Sequence, residues 1–170
     1  MTPKELEYMD YIEEHIGNVN KAYRLLQDDL FKRFNLNPRE MDRRIDTHDS
    51  SKYTSLEFSG YRQYFYPDTG EVKNKELFDY AWKQHYTVND HHPEHWKYHD
   101  TLVEMQDSAI AEMFCDWLAM SMKFHTVPSQ WYNDQKKKEG KLEFHENTRS
   151  KVERNLDILD KAYEKFTKEN

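Results

Sequence analysis

The sequence predicts an all-α protein, a compact helical bundle formed as one domain over residues 1–170. Three observations carry this. Apolar residues recur at gaps of three and four along most of the chain, the period of an amphipathic helix. Helix-start signals stand ahead of several of these runs. No stretch alternates apolar and polar residues as a half-buried strand would, and no internal repeat or linker interrupts the pattern.

The first helix begins at Thr2-Pro3-Lys4-Glu5, where Thr2 is a good N-cap, Pro3 suits the first helical position and Glu5 closes a capping box. Its apolar stripe runs through Leu6, Met9, Ile12, Ile16, Val19, Tyr23, Leu26 and Leu30, and His15 borders that stripe. Asn37-Pro38-Arg39-Glu40 repeats the start signal, and a short helix from there delivers His48 and Asp49 near its end. Thr54 and Glu57 form a further capping-box pattern ahead of Phe58, Tyr61 and Phe65. Tyr66 to Gly70 reads as a turn. A helix follows through Leu77, Phe78, Ala81, Trp82 and His85, then an irregular stretch from Thr87 to Glu104. Ile110 to Phe124 is the most apolar helix, with Asp116 in its middle, and Pro128 ends that run. Gln135 to Lys141 reads as a charged loop. A last helix carries Val152, Leu156, Leu159, Tyr163 and Phe166 on one side.

The chain is very polar, with 34% charged residues and a mean hydropathy of -1.15. Few apolar residues must therefore close the core, and twelve Tyr, nine Phe and four Trp supply the area. Tyr64, Trp131 and Tyr132 are assigned to that packing rather than to a base-stacking pocket. A net charge of -7 and the lack of any basic stretch beyond Lys136-Lys137-Lys138 argue against a nucleic-acid polymer as partner. A single Cys115 excludes an intramolecular disulfide. No signal-peptide core follows Met1, and no apolar run approaches the roughly 20 residues that span a bilayer. The expectation is a cytoplasmic protein with no membrane partner; its oligomeric state is left open.

The residues with chemical potential are scattered. His48 and Asp49 put an imidazole and a carboxylate at one point on the backbone, a natural half of a divalent-metal site. Lys52 follows at helical spacing and would sit over the same patch. Five of nine histidines fall between His85 and His99, among them His91, His92 and His95. Asp116 interrupts an apolar helix, where a carboxylate needs a partner or a metal. Each alone has a plain structural reading: a helix histidine, a surface loop, a capped helix end. Together they nominate His15, His48, Asp49, His85, His91, His92 and Asp116 as ligands of one or two divalent ions (Mn, Fe, Co, Mg or Zn). The spacing does not choose among His85, His91, His92 and His95.

In order along the chain, His15, His48-Asp49 and Asp116 resemble the metal-binding positions of the HD-domain superfamily of metal-dependent phosphohydrolases, which are all-helical. His48-Asp49-x-x-Lys52 is similar to the form found in the HD-GYP branch, where further histidines hold a second metal; the Gly-Tyr-Pro signature itself is absent. The four motifs His48-Asp49-x-Ser51-Lys52, Ala81-Trp82-x-x-His85, Asn89-x-His91-His92-x-x-x-Trp96 and Glu112-Met113-x-Cys115-Asp116-Trp117 also resemble a bacterial and phage family of unknown function, which brings no activity.

The superfamily resemblance implies hydrolysis of a small phosphoester, with a nucleotide among the candidates. Asp49 would bridge two metals, Lys52 would neutralise the phosphate, and Glu57 or Glu94 would orient water or the leaving group. Two other classes stay open. One is an HD-type di-iron oxygenase, since the same donors suit iron. The other is a helical interaction module whose histidine cluster is structural.

Overall fold

The first helix starts where its cap dictates. In the computed structural model, which describes residues 1–170, the Thr2 hydroxyl accepts from the Glu5 amide at 3.2 Å and the Glu5 carboxylate accepts from the Thr2 amide at 2.7 Å. Helix α1 then runs over Pro3–Arg33. It buries Tyr8, Ile12, His15, Val19, Ala22, Tyr23, Leu26 and Leu30. His15 is thus on the buried stripe itself, one step inside the edge expected for it, and Leu6 is exposed while Tyr8 takes its place in the core.

Helix α2 (Pro38–Asp46) is capped by Asn37, and α3 (Ser55–Phe65) follows a 3-10 turn over Ser50–Tyr53. The capping box read at Thr54 and Glu57 does not form. The Thr54 hydroxyl donates to the Ser51 carbonyl instead, and Glu57 is turned inward to other partners. Helix α4 (Lys75–Val88) is capped by Asn74. A 3-10 turn (Pro93–Trp96) leads to a ribbon of two strands, β1 (Lys97–Tyr98) and β2 (Thr101–Leu102), paired antiparallel. Strands of two residues are too short to show alternation.

Helix α5 (Asp107–Phe124) ends at His125, which adopts a left-handed conformation. Pro128 does not terminate it; Pro128 opens α6 (Pro128–Lys136) from the first helical position, the other place where proline is favoured. Helix α7 covers Glu146–Glu169. No helix is long and apolar enough to cross a membrane.

Two apolar clusters result. The larger joins α1, α2, α5 and α7 through Leu26, Leu30, Ile45, Phe114, Leu118 and Leu159. Tyr132 is fully buried and packs with Trp131 around Trp117, while Tyr64 stacks on Phe78 at 4.5 Å. The smaller cluster holds Tyr8, Ile12, Tyr61 and Ala81, from α1, α3 and α4. Helices α3 and α4 touch where α3 has Gly60: a Cβ there would lie 2.5 Å from the Ala81 Cβ and 3.0 Å from the Leu77 carbonyl oxygen. On α1, His15 falls between Ile12 of the smaller cluster and Val19 of the larger, so the functional residues lie at the boundary between the two.

Candidate metal centre

The centre is assembled around Asp49. Consecutive side chains on a regular helix diverge by about 100°, so an adjacent pair cannot aim at one point from within it. The chain leaves α2 at Thr47, and Asp49 adopts φ 55° and ψ 16°, a left-handed conformation that Asp tolerates better than most residues. Both His48 and Asp49 then face the same interior. Asp49 Oδ1 lies 3.3 Å from His85 Nε2 and 3.4 Å from His91 Nε2. Asp49 Oδ2 lies 3.5 Å from His15 Nε2, 3.6 Å from His48 Nε2 and 2.7 Å from Lys52 Nζ. Asp116, from α5, completes the second side: its Oδ1 is 3.1 Å from His15 Nε2 and 3.9 Å from His48 Nε2. His92 completes the first, its Nε2 3.0 Å from that of His85.

Two donor groups therefore share Asp49 as their common wall. Asp49, His85, His91 and His92 form one; His15, His48 and Asp116 form the other; within each, the candidate ligand atoms lie within 4.8 Å of one another.

Carboxylates behind the imidazoles fix which nitrogen faces inward. Glu112 Oε1 accepts from His48 Nδ1 at 2.8 Å and from His91 Nδ1 at 3.1 Å. Its other oxygen accepts from Arg44 at 3.0 Å, and Arg44 is itself clamped by Asp90. Glu57 Oε2 accepts from His85 Nδ1 at 2.8 Å and from the Ser51 hydroxyl at 2.9 Å, and Asn89 donates to Ser51 at 2.7 Å. With Nδ1 committed as a donor, the rings of His48, His85 and His91 in their neutral form would turn an Nε2 lone pair to the interior. Such backing is typical of histidines that ligate metals.

The electrostatics follow from this crowding. Burial opposes the charge on Asp49, but His48 and Lys52, with the rings of His15 and His85 beside it, hold it well below the usual carboxylate range. Burial likewise opposes Asp116 and Glu112; the facing histidines hold both carboxyls down. Burial would depress His91, yet the hydrogen bond and charge of Glu112, with Asp49 and Asp116 beyond, push it up to about 9. His92 goes the other way: burial, then His91 and His85, push it well below the ordinary imidazole range.

These residues fit a metal ion. His48 and His15 bring Nε2 atoms within 3.4 Å, and His85 and His92 within 3.0 Å. Asp49 Oδ1 and His91 Nε2 are buried without a hydrogen-bond partner. Such close nitrogen pairs, set against a carboxylate oxygen, need either a shared proton or a metal ion among them, and buried polar atoms are rarely left unpaired. The buried His, Asp and Glu groups can hold a metal ion.

All seven nominated ligand positions converge here, and Lys52 joins them. The other two nominated residues do not act as expected. Glu57 is fully buried behind His85 and orients that ring rather than a water. Glu94 lines a separate surface cavity with Tyr86, Lys97 and Glu143, away from the cluster. His95 is exposed and pairs with the Tyr86 carbonyl. Glu112 and Arg44 went unassigned in the sequence. Glu112 had a signal, since it precedes Asp116 by one helical turn and shares its face.

Fold and site together define an all-helical protein with a buried carboxylate–histidine cluster able to take metal. The chain belongs to the family of unknown function DUF5662, whose model matches residues 4–158. No curated protein and no solved structure matches it.

Proposed function

We propose that the protein is a metal-dependent phosphohydrolase of HD-domain type, acting on a nucleotide or related small phosphoester. One observation carries this reading: Asp49 faces a histidine group with each oxygen while holding Lys52 at 2.7 Å. His15, His48 and Asp116 would hold one ion, His85, His91 and His92 a second, and Asp49 both. The imidazole-rich donor set suits Mn, Fe, Co or Zn better than Mg. Bound there, divalent ions would polarise a phosphoryl oxygen and lower the pKa of water.

The chain's own residues do the rest. Lys52 has three N–H donors and commits one to Asp49, leaving the others for a phosphate oxygen. Glu112 and Glu57 keep the imidazole rings from turning. Water adds to phosphorus, the P–O bond to the leaving alcohol breaks, and that alcohol departs with a proton. Among the inward-facing groups, Asp116, Lys52 and His92 retain some solvent exposure, which supports access of a phosphoester to the centre.

The test is elemental analysis of anaerobically purified protein, followed by a phosphoester panel on the same sample. The reading expects bound transition metal and phosphate release. Lys52→Ala should keep the metal and lose about a hundredfold in turnover, the usual effect of removing one preorganised donor to developing charge. Full turnover in that variant would remove Lys52 from the reaction. Coloured, oxygen-sensitive protein with no phosphatase activity would instead place it among the di-iron oxygenases.

A further inference from the structure

Beside the metal centre, between α1 and α3, is a cavity of about 440 Å³ whose lining is aromatic except for one residue, Lys52. That volume is in the range of small-molecule sites. Tyr8, Tyr11, Tyr61, Tyr66 and Phe65 supply most of the wall. Tyr11 stacks on Tyr8 at 6.3 Å and on His15 at 6.5 Å, so the wall runs continuously from the cavity to a nominated metal ligand. Lys52 belongs to both places, since it lines the cavity and contacts Asp49. The hydroxyls of Tyr8 and Tyr61 are buried without a hydrogen-bond partner. Burial comes first, and the negative charges of Asp49 and Glu57 add to it, in keeping both phenols protonated. They are neutral donors without an acceptor, close enough to the centre to feel its carboxylates.

Core packing alone does not account for this combination. Aromatic side chains that only fill a core close against one another, and buried phenols ordinarily find an acceptor. Here the aromatic faces border open space, and that space ends on a cation. A lipid tail would use the apolar wall and leave Lys52 idle; a bare phosphate would use Lys52 and leave the wall idle. A planar ring joined to a phosphate uses both.

We propose that this cavity is the ring subsite of the enzyme: it takes the heteroaromatic ring of a phosphate ester, stacked on the aromatic wall, and delivers the phosphate to Lys52. The inference rests on the phosphohydrolase reading for the role of Lys52, and it narrows the substrate to phosphoesters of ring-bearing alcohols, with nucleoside monophosphates the nearest representatives.

Calorimetry with the full chain tests it, using the monophosphates of adenosine, guanosine, cytidine and uridine against ribose phosphate and adenosine. At least one nucleoside monophosphate should bind about tenfold more tightly than ribose phosphate, the scale of one ring-on-aromatic stack. Phe65→Ala removes a wall residue that is 55% exposed, so the fold should tolerate it. That variant should lose most of the ring's advantage while leaving the ribose phosphate affinity and the metal content unchanged. Tyr61→Phe, which keeps the ring and deletes the unpaired hydroxyl, should weaken nucleotide binding without lowering Tm. Equal binding of ribose phosphate and every nucleotide, or indifference to Phe65→Ala, would overturn the subsite even if both compounds are hydrolysed. Adenosine binding as tightly as its monophosphate would overturn the part given to Lys52. Ring-dependent binding with no hydrolysis by metal-loaded protein would support the subsite and overturn the phosphohydrolase reading.

Discussion

Glu112→Gln is the sharpest perturbation of the centre because it changes charge and hydrogen-bond polarity with almost no change of volume. In the native protein one carboxylate oxygen accepts from both His48 and His91, and the other accepts from Arg44. An amide offers oxygen on one side and NH2 on the other. If its oxygen faces the histidines, its NH2 points at the Arg44 guanidinium, donor against donor. If it flips, its NH2 faces the two Nδ1 atoms, which must then accept, and the ring protons move to Nε2. That removes two lone pairs from the interior. Loss of a single backing partner costs ten- to a hundredfold in metal affinity, about 1.4 to 2.8 kcal/mol. Glu112 backs two rings that belong to different donor groups, so the upper end, about a hundredfold, is expected. Competition with a chromophoric chelator under anaerobic conditions would read the affinity, and elemental analysis the stoichiometry. An unchanged Kd and an unchanged metal count in a folded Gln variant would refute the argument that Glu112 aims these two histidines.

Three further outcomes follow from the geometry. In metal-free protein His91 titrates at about 9, above its ordinary 6.5. The proton's contribution to stability is thus full below about 6.5 and is lost as pH rises through about 9, while metal competes with that same proton; the Tm gain on adding metal should grow from pH 6.5 to 9, and a gain that shrinks over this window would contradict it. Gly60→Ala should destabilise by roughly 1 to 2 kcal/mol, because overpacking against Ala81 outweighs the better helix propensity of alanine. Denaturant melts check this, and adding Ala81→Gly should relieve the clash between the two Cβ atoms, so that the double variant loses less than the two single losses added together. Glu94→Ala should leave metal content and turnover at native values, since Glu94 belongs to another cavity; a metal or turnover defect would return it to the centre.

Much of the helical frame was legible because its signals are local. The caps at Thr2 and Asn37 mark the starts of α1 and α2, and each is satisfied within a few residues. The proline at 128 misled because proline both stops one helix and begins another, and the turn between them depends on His125 in a left-handed conformation. Glu57 misled for a related reason. A Thr three residues before a Glu is a good capping box, yet a buried imidazole 28 residues away competes for the same carboxylate and wins it. The inward ligands were recoverable from three local signals: the adjacent His48-Asp49 pair, the density of histidines between His85 and His99, and Asp116 within an apolar helix. Their backing was legible only in part: Glu112 shares a helix face with Asp116, but its partner is hidden. Glu112 meets His48 across 64 residues of chain, and nothing near either residue announces the pairing.

The centre also runs against what stability alone would select. Asp49 occupies a left-handed conformation, costing of order 1 kcal/mol or more for a residue with a side chain. Five imidazoles and three carboxylates share a buried space, although apolar residues of similar volume would usually be at least as stable there as buried charges. The polar groups behind the rings are nearly all satisfied, through Glu112 with Arg44 and Glu57 with Ser51. Of the five unsatisfied atoms, Asp49 Oδ1 and His91 Nε2 lie in the cluster, the Tyr8 and Tyr61 hydroxyls belong to residues lining the aromatic cavity, and Glu57 Oε1 lies behind His85. A structural cluster would distribute its unpaired atoms without preference. Here all but one of the unpaired atoms belong to the metal cluster or to residues lining the cavity beside it, which is the pattern of a site held ready for a cation and the anion that accompanies it.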